Sequence, residues 1–161
     1  IWSGSDVNLC EAGAVRSPDG KRITLMLREN ARRKRSMVMS SSDEGATWSE
    51  PKEMAWTLTG DRHVAQYLPD GRLLVTFRDM SDQSPWKGDW VAWVGRYADL
   101  ESGRLGQLRL RLMDNQDSWD CAYAGLELLP DGTSVTTTYG HWTKGAEPYI
   151  VSVRLSPSDL R

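Results

Sequence analysis

Phenylalanine occurs once in these 161 residues, and histidine and cysteine twice each. Two cysteines, Cys10 and Cys121, are too few for a scaffold built on disulfides, although one bridge between them is possible. No apolar run approaches the roughly 20 residues of a membrane-spanning helix, and no signal peptide is visible. Charge of one sign is lacking as well. Twenty basic against 22 acidic side chains leave a formal net charge of −2, so nucleic acid is not expected as a partner. The one basic run, Arg32-Arg33-Lys34-Arg35, reads as a solvated turn. No His, Cys and Asp cluster has metal-ligand spacing and no phosphate loop is present, so neither metal nor cofactor is expected. The chain begins at Ile1 rather than Met, which suggests a fragment.

What is present is tryptophan, eight copies, with 14 glycines and 7 prolines that fall largely at turns. Short strands joined by Gly-rich turns are the signature of an all-β fold, and no long amphipathic helix is apparent. The organising feature is an internal repeat. Three segments read strand, Pro-Asp-Gly, strand: 10–28, 61–78 and 122–139, with the turn Asp at 19, 70 and 131. Proline presets φ, Asp closes on the local backbone, and Gly takes a positive φ. The steps of 51 and 61 residues between the turns hold four strands of about five or six residues each, one propeller blade. Third strands are expected at 36–40, 90–97 and 149–155, and Leu108–Leu112 alternates as an outer fourth strand. The expected blades run over about 8–55, 56–116 and 117–157.

The stretch from Ser41 to Trp48 fits S-x-D-x-G-x-x-W, a hairpin turn in which Asp43 accepts backbone N–H groups, Gly45 permits the tight path and Trp48 packs between blades. Ser41, Asp43, Gly45 and Trp48 are therefore structural. This pattern is the Asp box, and the chain resembles the sialidase (neuraminidase) superfamily. Glu11, Arg28 and the box follow in the family's order; 121–126 resembles the segment carrying its nucleophilic tyrosine; Gly60-Asp61-Arg62-His63 and Phe77-Arg78-Asp79 resemble bacterial sialidase-like proteins. The resemblance implies a six-bladed propeller, of which this chain supplies about three four-stranded antiparallel blades from the C-terminal half. It also implies a secreted or periplasmic setting.

The repeat places a site independently. Glu11, Arg62 and Tyr123 each lie eight residues before the Asp of their turn, so radial symmetry sets them at equivalent points of successive blades, facing the central mouth. Arg28, Arg78 and Tyr139 form a second tier at the hairpins' far ends. For a sialidase-like retaining exo-glycosidase, Tyr123 is the expected nucleophile and Glu11 its base. Arg28 would hold a substrate carboxylate, with Arg62 or Arg78 as the second clamp. No arginine stands between Trp86 and Trp93, where the family's third one enters. His63, Tyr139, Trp86 and Trp142 are further candidates, the last two as sugar-stacking rings. The other tryptophans, Trp119 among them, read as blade packing. The expected partners are a sialoside or other glycan, and either missing N-terminal blades, which carry the family's acid, or a second copy closing the ring. A carbohydrate-binding propeller without catalysis is the alternative.

Overall fold

The computed structural model describes residues 4, 6–117 and 119–161. Its hairpins follow from the Pro-Asp-Gly turns. Strands β1 (Leu9–Arg16) and β2 (Ile23–Glu29), β5 (Gly60–Tyr67) and β6 (Leu73–Asp79), and β9 (Gly125–Leu128) and β10 (Ser134–Gly140) flank the three turns. At each turn the Asp carboxylate accepts the N–H two residues on, from Lys21, Arg72 and Thr133 at 3.2, 3.1 and 2.9 Å. Gly20, Gly71 and Gly132 sit at φ of 76, 81 and 84°, a region closed to most side chains.

Three antiparallel sheets result. The first runs β1-β2-β3-β4, with β3 at Met37–Ser41 and β4 at Lys52–Glu53; the second runs β5-β6-β7-β8, with β7 at Trp90–Gly95 and β8 at Leu108–Met113. Among the described residues the third has three strands rather than four, β9-β10-β11, with β11 at Tyr149–Leu155. The reason is local. After Leu155, the Ser156 N–H and hydroxyl both donate to Asp159 Oδ2 at 2.7 Å, and Pro157 removes a ladder donor. The chain turns, and Leu160 is buried against the second sheet. β7 likewise stops at Gly95, short of the expected Tyr97. There the chain enters a helix, α1 (Tyr97–Ser102), where Asp99 accepts the Arg96 N–H at 2.8 Å and Tyr97 and Leu100 turn inward.

The first strands lie side by side, β1 against β5 and β5 against β9, so the sheets fan out from a common axis as a propeller-like fragment. One core, with Met26, Leu58, Phe77 and Trp93, fills the space between the first two sheets; a second, with Leu74, Ala92, Val94 and Leu155, lies between the second and third. The middle sheet is thus covered on both faces, and every residue of β6 and β7 is buried. The unbroken apolar run of β7, and Leu73 to Val75 at the start of β6, reflect this; the polar Thr76, Arg78 and Asp79 of β6 are buried as well.

The turn from Ser41 to Trp48 joins β3 to β4. Asp43 accepts the Thr47 N–H at 2.8 Å and hydroxyl at 2.6 Å, and the Gly45 N–H donates to the Ser41 hydroxyl at 2.8 Å. The two Thr47 bonds, with one from the Ser41 hydroxyl at 2.7 Å, hold the Asp43 pKa down at about 2. Trp48 does not pack between blades: it lies on its own sheet, against Leu27, Met37 and Met39. Cys10 and Cys121 are free thiols, not bridged, and burial pushes the Cys121 thiol up to about 12. None of the described helices is long and apolar enough to cross a membrane.

Candidate functional site

In each of the first two hairpins the start of the first strand pairs with the end of the second, Cys10 with Arg28 and Asp61 with Arg78. These ends open on one side of the molecule. The ladders slip there, between Cys10 and Gly13 and between Asp61 and Val64. Glu11 and Arg62 occupy the slips in the left-handed region, at φ of 49 and 63°, and Ala122 and Tyr123 precede β9 at 73 and 79°. A bulge re-aims the side chain of its strand; two bulges, and in the third repeat a left-handed lead into β9 at the same phase, turn Glu11, Arg62 and Tyr123 toward one another. Left-handed backbone at such residues costs about 1–2 kcal/mol each, and strain of this kind gathers at functional sites.

The resulting cluster is close-knit. The Tyr123 hydroxyl donates to Glu11 Oε1 at 3.3 Å, and Arg28 Nη1 donates to the same oxygen at 3.1 Å. The Arg62 guanidinium lies 3.5 Å from the centre of the Tyr123 ring. Its Nη1 donates to the Cys121 carbonyl at 3.0 Å and the Tyr139 hydroxyl at 3.2 Å, and its Nε faces Glu11 Oε2 at 3.8 Å. Both of those facing atoms are buried without a hydrogen bond to protein. Tyr139 donates onward to Asp120 at 2.7 Å. Burial, with the bond to Asp120, raises the Tyr139 pKa. Burial works against the charge of Arg62, yet its bond to Tyr139 and the nearby Glu11 carboxylate hold its pKa above the ordinary arginine value.

Beneath lies Asp61, with no side-chain exposure. Arg32 grips it with two bonds of 2.7 Å, Arg78 donates to it through Nε at 3.1 Å and through Nη2, and Arg28 Nε stands 3.5 Å away. Burial alone would raise the Asp61 pKa; the paired guanidiniums outweigh it and lower the value.

Glu11, Arg28, Arg62, Tyr123 and Tyr139 are therefore brought together, with Tyr123 the most exposed. Arg78 is not among them: it is buried, and its guanidinium is spent on Asp61 and the Trp119 carbonyl. His63 is buried too, its Nε2 2.8 Å from the Leu58 carbonyl and its ring stacked on Phe77 at 4.8 Å. Trp142 packs on Trp90 in the core and presents no face to a sugar. Trp86 is half-buried, 5.4 Å from the Arg109 guanidinium. Four participants escaped sequence reasoning. Asp61 stands at the phase of Cys10, one residue before the site position, which was a usable signal. Arg32 and Asp120 gave none. Trp119, read as packing, is 55% exposed. Among the described residues no group of His, Cys, Asp and Glu could hold a metal ion.

Neither a protein-family model nor a curated protein matches the chain. Solved structures do. A protein of unknown function from Dyadobacter fermentans superposes with a TM-score of 0.73 at 19% identity, covering 94% of this chain and 39% of that one. GH43B of a Bacteroides ovatus xyloglucan PUL gives 0.62 at 13%, covering 95% and 28%, and a thermostable family-43 glycoside hydrolase 0.60 at 13%, covering 98% and 51%. The chain thus spans between about a quarter and a half of each. Family-43 propellers have five blades; the sialidase resemblance is overturned by these neighbours, which support neither its six-bladed type nor its Asp-box family label. At these identities the likeness is one of fold: a row of propeller-like sheets.

Proposed function

We propose that the chain is part of a carbohydrate-active β-propeller and that the cluster at its mouth binds and processes a glycan. The observation that carries this reading is the Tyr123–Glu11 pair, 3.3 Å apart, with Arg28 and Arg62 against the same carboxylate. The family-43 glycoside hydrolases that share the fold support the carbohydrate class. A phenol of pKa near 10 needs a base to attack at neutral pH. Glu11 takes the Tyr123 proton as the phenol oxygen bonds to the anomeric carbon, and the bond to the departing oxygen breaks. An acid from another part of the propeller protonates that oxygen, and water later releases the sugar. Arg28 and Arg62 favour a substrate with negative charge beside the reacting carbon.

A binding module without turnover is the second reading. It is favoured by the saturation of Glu11 Oε1, already shared between Tyr123 and Arg28. Further blades or a second copy would pack on the open face of the first sheet, where Val7, Leu9, Leu25, Leu27, Met39 and Trp48 line a cavity of about 340 Å³.

The test is turnover of a panel of aryl glycosides, neutral and acidic, by the protein that contains this chain. Tyr123→Phe is expected to lower kcat by at least about 10³-fold, and Glu11→Gln by about 10²-fold. Turnover unchanged in Tyr123→Phe would remove the nucleophile assignment. Glycan binding by the wild type with no turnover of any substrate would leave the binding module.

A further inference from the structure

The turn after β2 and the loop after β6 both leave the strands at the mouth, and a cleft of about 660 Å³ lies between them. Its walls carry the basic run, Arg32 to Arg35, on one side and Lys87 and Trp119 on the other, with Trp56 also in the lining. Most of these charges are spent. Arg32 is bound to Asp61, Arg35 to Glu53 and Lys87 to Asp82. Arg33 and Lys34 remain, exposed and with no ion pair among the described residues. The turn that presents them is nonetheless fixed. The buried Glu29 carboxylate accepts the N–H groups of Ala31 and Arg33 at 3.2 and 2.8 Å, along with that of Asn8 at 3.0 Å.

Trp119 is equally well held. Its backbone is left-handed, at φ 66°, and Arg78 binds its carbonyl. Its ring rests on Gly88, where an added Cβ would come within 2.6 Å of Trp119 Cδ1. The Lys87 ammonium stands 5.4 Å from the ring. A half-exposed indole on a strained, braced backbone, across the cleft from two free cations, is a rigid platform facing solvent. Ordinary packing would bury such a ring; here the fold keeps it out.

We infer that this cleft is a subsite for an acidic sugar residue, bearing a carboxylate or a sulfate, which stacks on Trp119 while Arg33 and Lys34 bind its anionic group. The inference deepens the proposed glycan site and rests on it: the subsite lies on the mouth side, joined to the hub through Arg32 on Asp61 and Arg78 on Trp119. The cleft volume falls within the roughly 300–1,000 Å³ of small-ligand sites. Magnitudes also decide against nucleic acid, whose binding commonly engages about 6–10 phosphates; two free cations are too few.

The experiment is calorimetric titration of the protein with three tetrasaccharides, a uronate, a sulfated and a neutral one, and with an oligothymidylate. At least one acidic tetrasaccharide is expected to bind ten or more times as tightly as the neutral one, and the two acidic arms separate carboxylate from sulfate. Arg33→Gln with Lys34→Gln should weaken that binding at least tenfold and flatten its dependence on salt. Trp119→Ala should weaken it about tenfold, whereas Trp119→Phe, which keeps a stacking ring, should retain most of it. Thermal melts confirm that each variant folds. Equal affinity for the neutral and acidic sugars, or wild-type affinity in the Arg33, Lys34 double variant, overturns the inference. So does oligothymidylate binding as tightly through the same two residues. Failure of the hub is read separately, as turnover unaffected by Tyr123→Phe.

Discussion

At the scale of single residues, Asp61 and His63 show how the site rests on buried titratable groups, one kept charged and one kept neutral. Asp61 has three arginines around it and no access to water. Removing one partner of a buried ion pair leaves an uncompensated charge and costs about 3–5 kcal/mol. Asp61→Asn is expected to lower stability by about that much in urea denaturation; a loss under 1 kcal/mol would mean that Arg32 and Arg78 find other partners. Because its folded pKa is depressed, Asp61 contributes fully above the ordinary carboxylate range near 4 and loses that contribution as pH falls through the folded value. His63 acts in a higher window. Burial lowers its pKa below the ordinary 6.5, so the folded state keeps it neutral while the unfolded chain takes up a proton. Its contribution is whole above pH 6.5 and declines below, by up to roughly 1.4 kcal/mol per pH unit. Denaturation curves at pH 7, 6 and 5 should show this slope, and His63→Gln should flatten it. A slope unchanged in the variant would assign the acid sensitivity elsewhere.

At the scale of elements, the hairpins were legible because their turns carry local chemistry: Pro, Asp and Gly each act within a few residues of themselves. The common phase of Glu11, Arg62 and Tyr123 was legible for the same reason, being a matter of counting from those turns. What escaped the sequence depends on partners far along the chain. Arg78 stands at a strand end where a clamp is expected, but Asp61, across the ladder, takes up its guanidinium. Trp119 is exposed because Gly88 and Arg78 hold it there. Among the described residues no fourth strand follows β11, because Ser156 and Asp159 close a turn there. The slips that aim the site also could not be read, although a glycine marks one of them. A Cβ on Gly13 would lie 2.1 Å from the His63 carbonyl oxygen, so β1 and β5 approach each other only because that position is bare. Gly13→Ala is expected to cost about 1–3 kcal/mol by overpacking and to weaken glycan binding, since it moves Glu11 away from Arg62. Gly20→Ala, in open space but at φ 76°, should cost about 1 kcal/mol through backbone strain alone and leave binding as it was. Equal effects of the two substitutions on binding would break the link between strand approach and site geometry.

At the scale of the whole molecule, the three sheets are unequal. The middle one has core on both faces, and β6 and β7 bury every residue. The outer two each turn one face away from the row. On the first sheet that face holds Leu9, Leu25 and Met39 around an open cavity; on the third, Tyr149 and Ile150 of β11 are exposed, Ile150 to 72%. Local opening is easiest where few apolar contacts must be broken. Amide hydrogen exchange followed by mass spectrometry should therefore rank the strands, with β6 and β7 slowest, β2 and β3 intermediate, and β9 to β11 fastest. Glycan bound at the mouth touches the first strands of all three sheets, so it should slow exchange in the third sheet most, where the free chain has most to gain from a tie through Tyr123 and Tyr139. Uniform protection across the sheets would show that they unfold as one unit in spite of their unequal burial. Ligand protection confined to the middle sheet would show that the hub does not join the third sheet to the others.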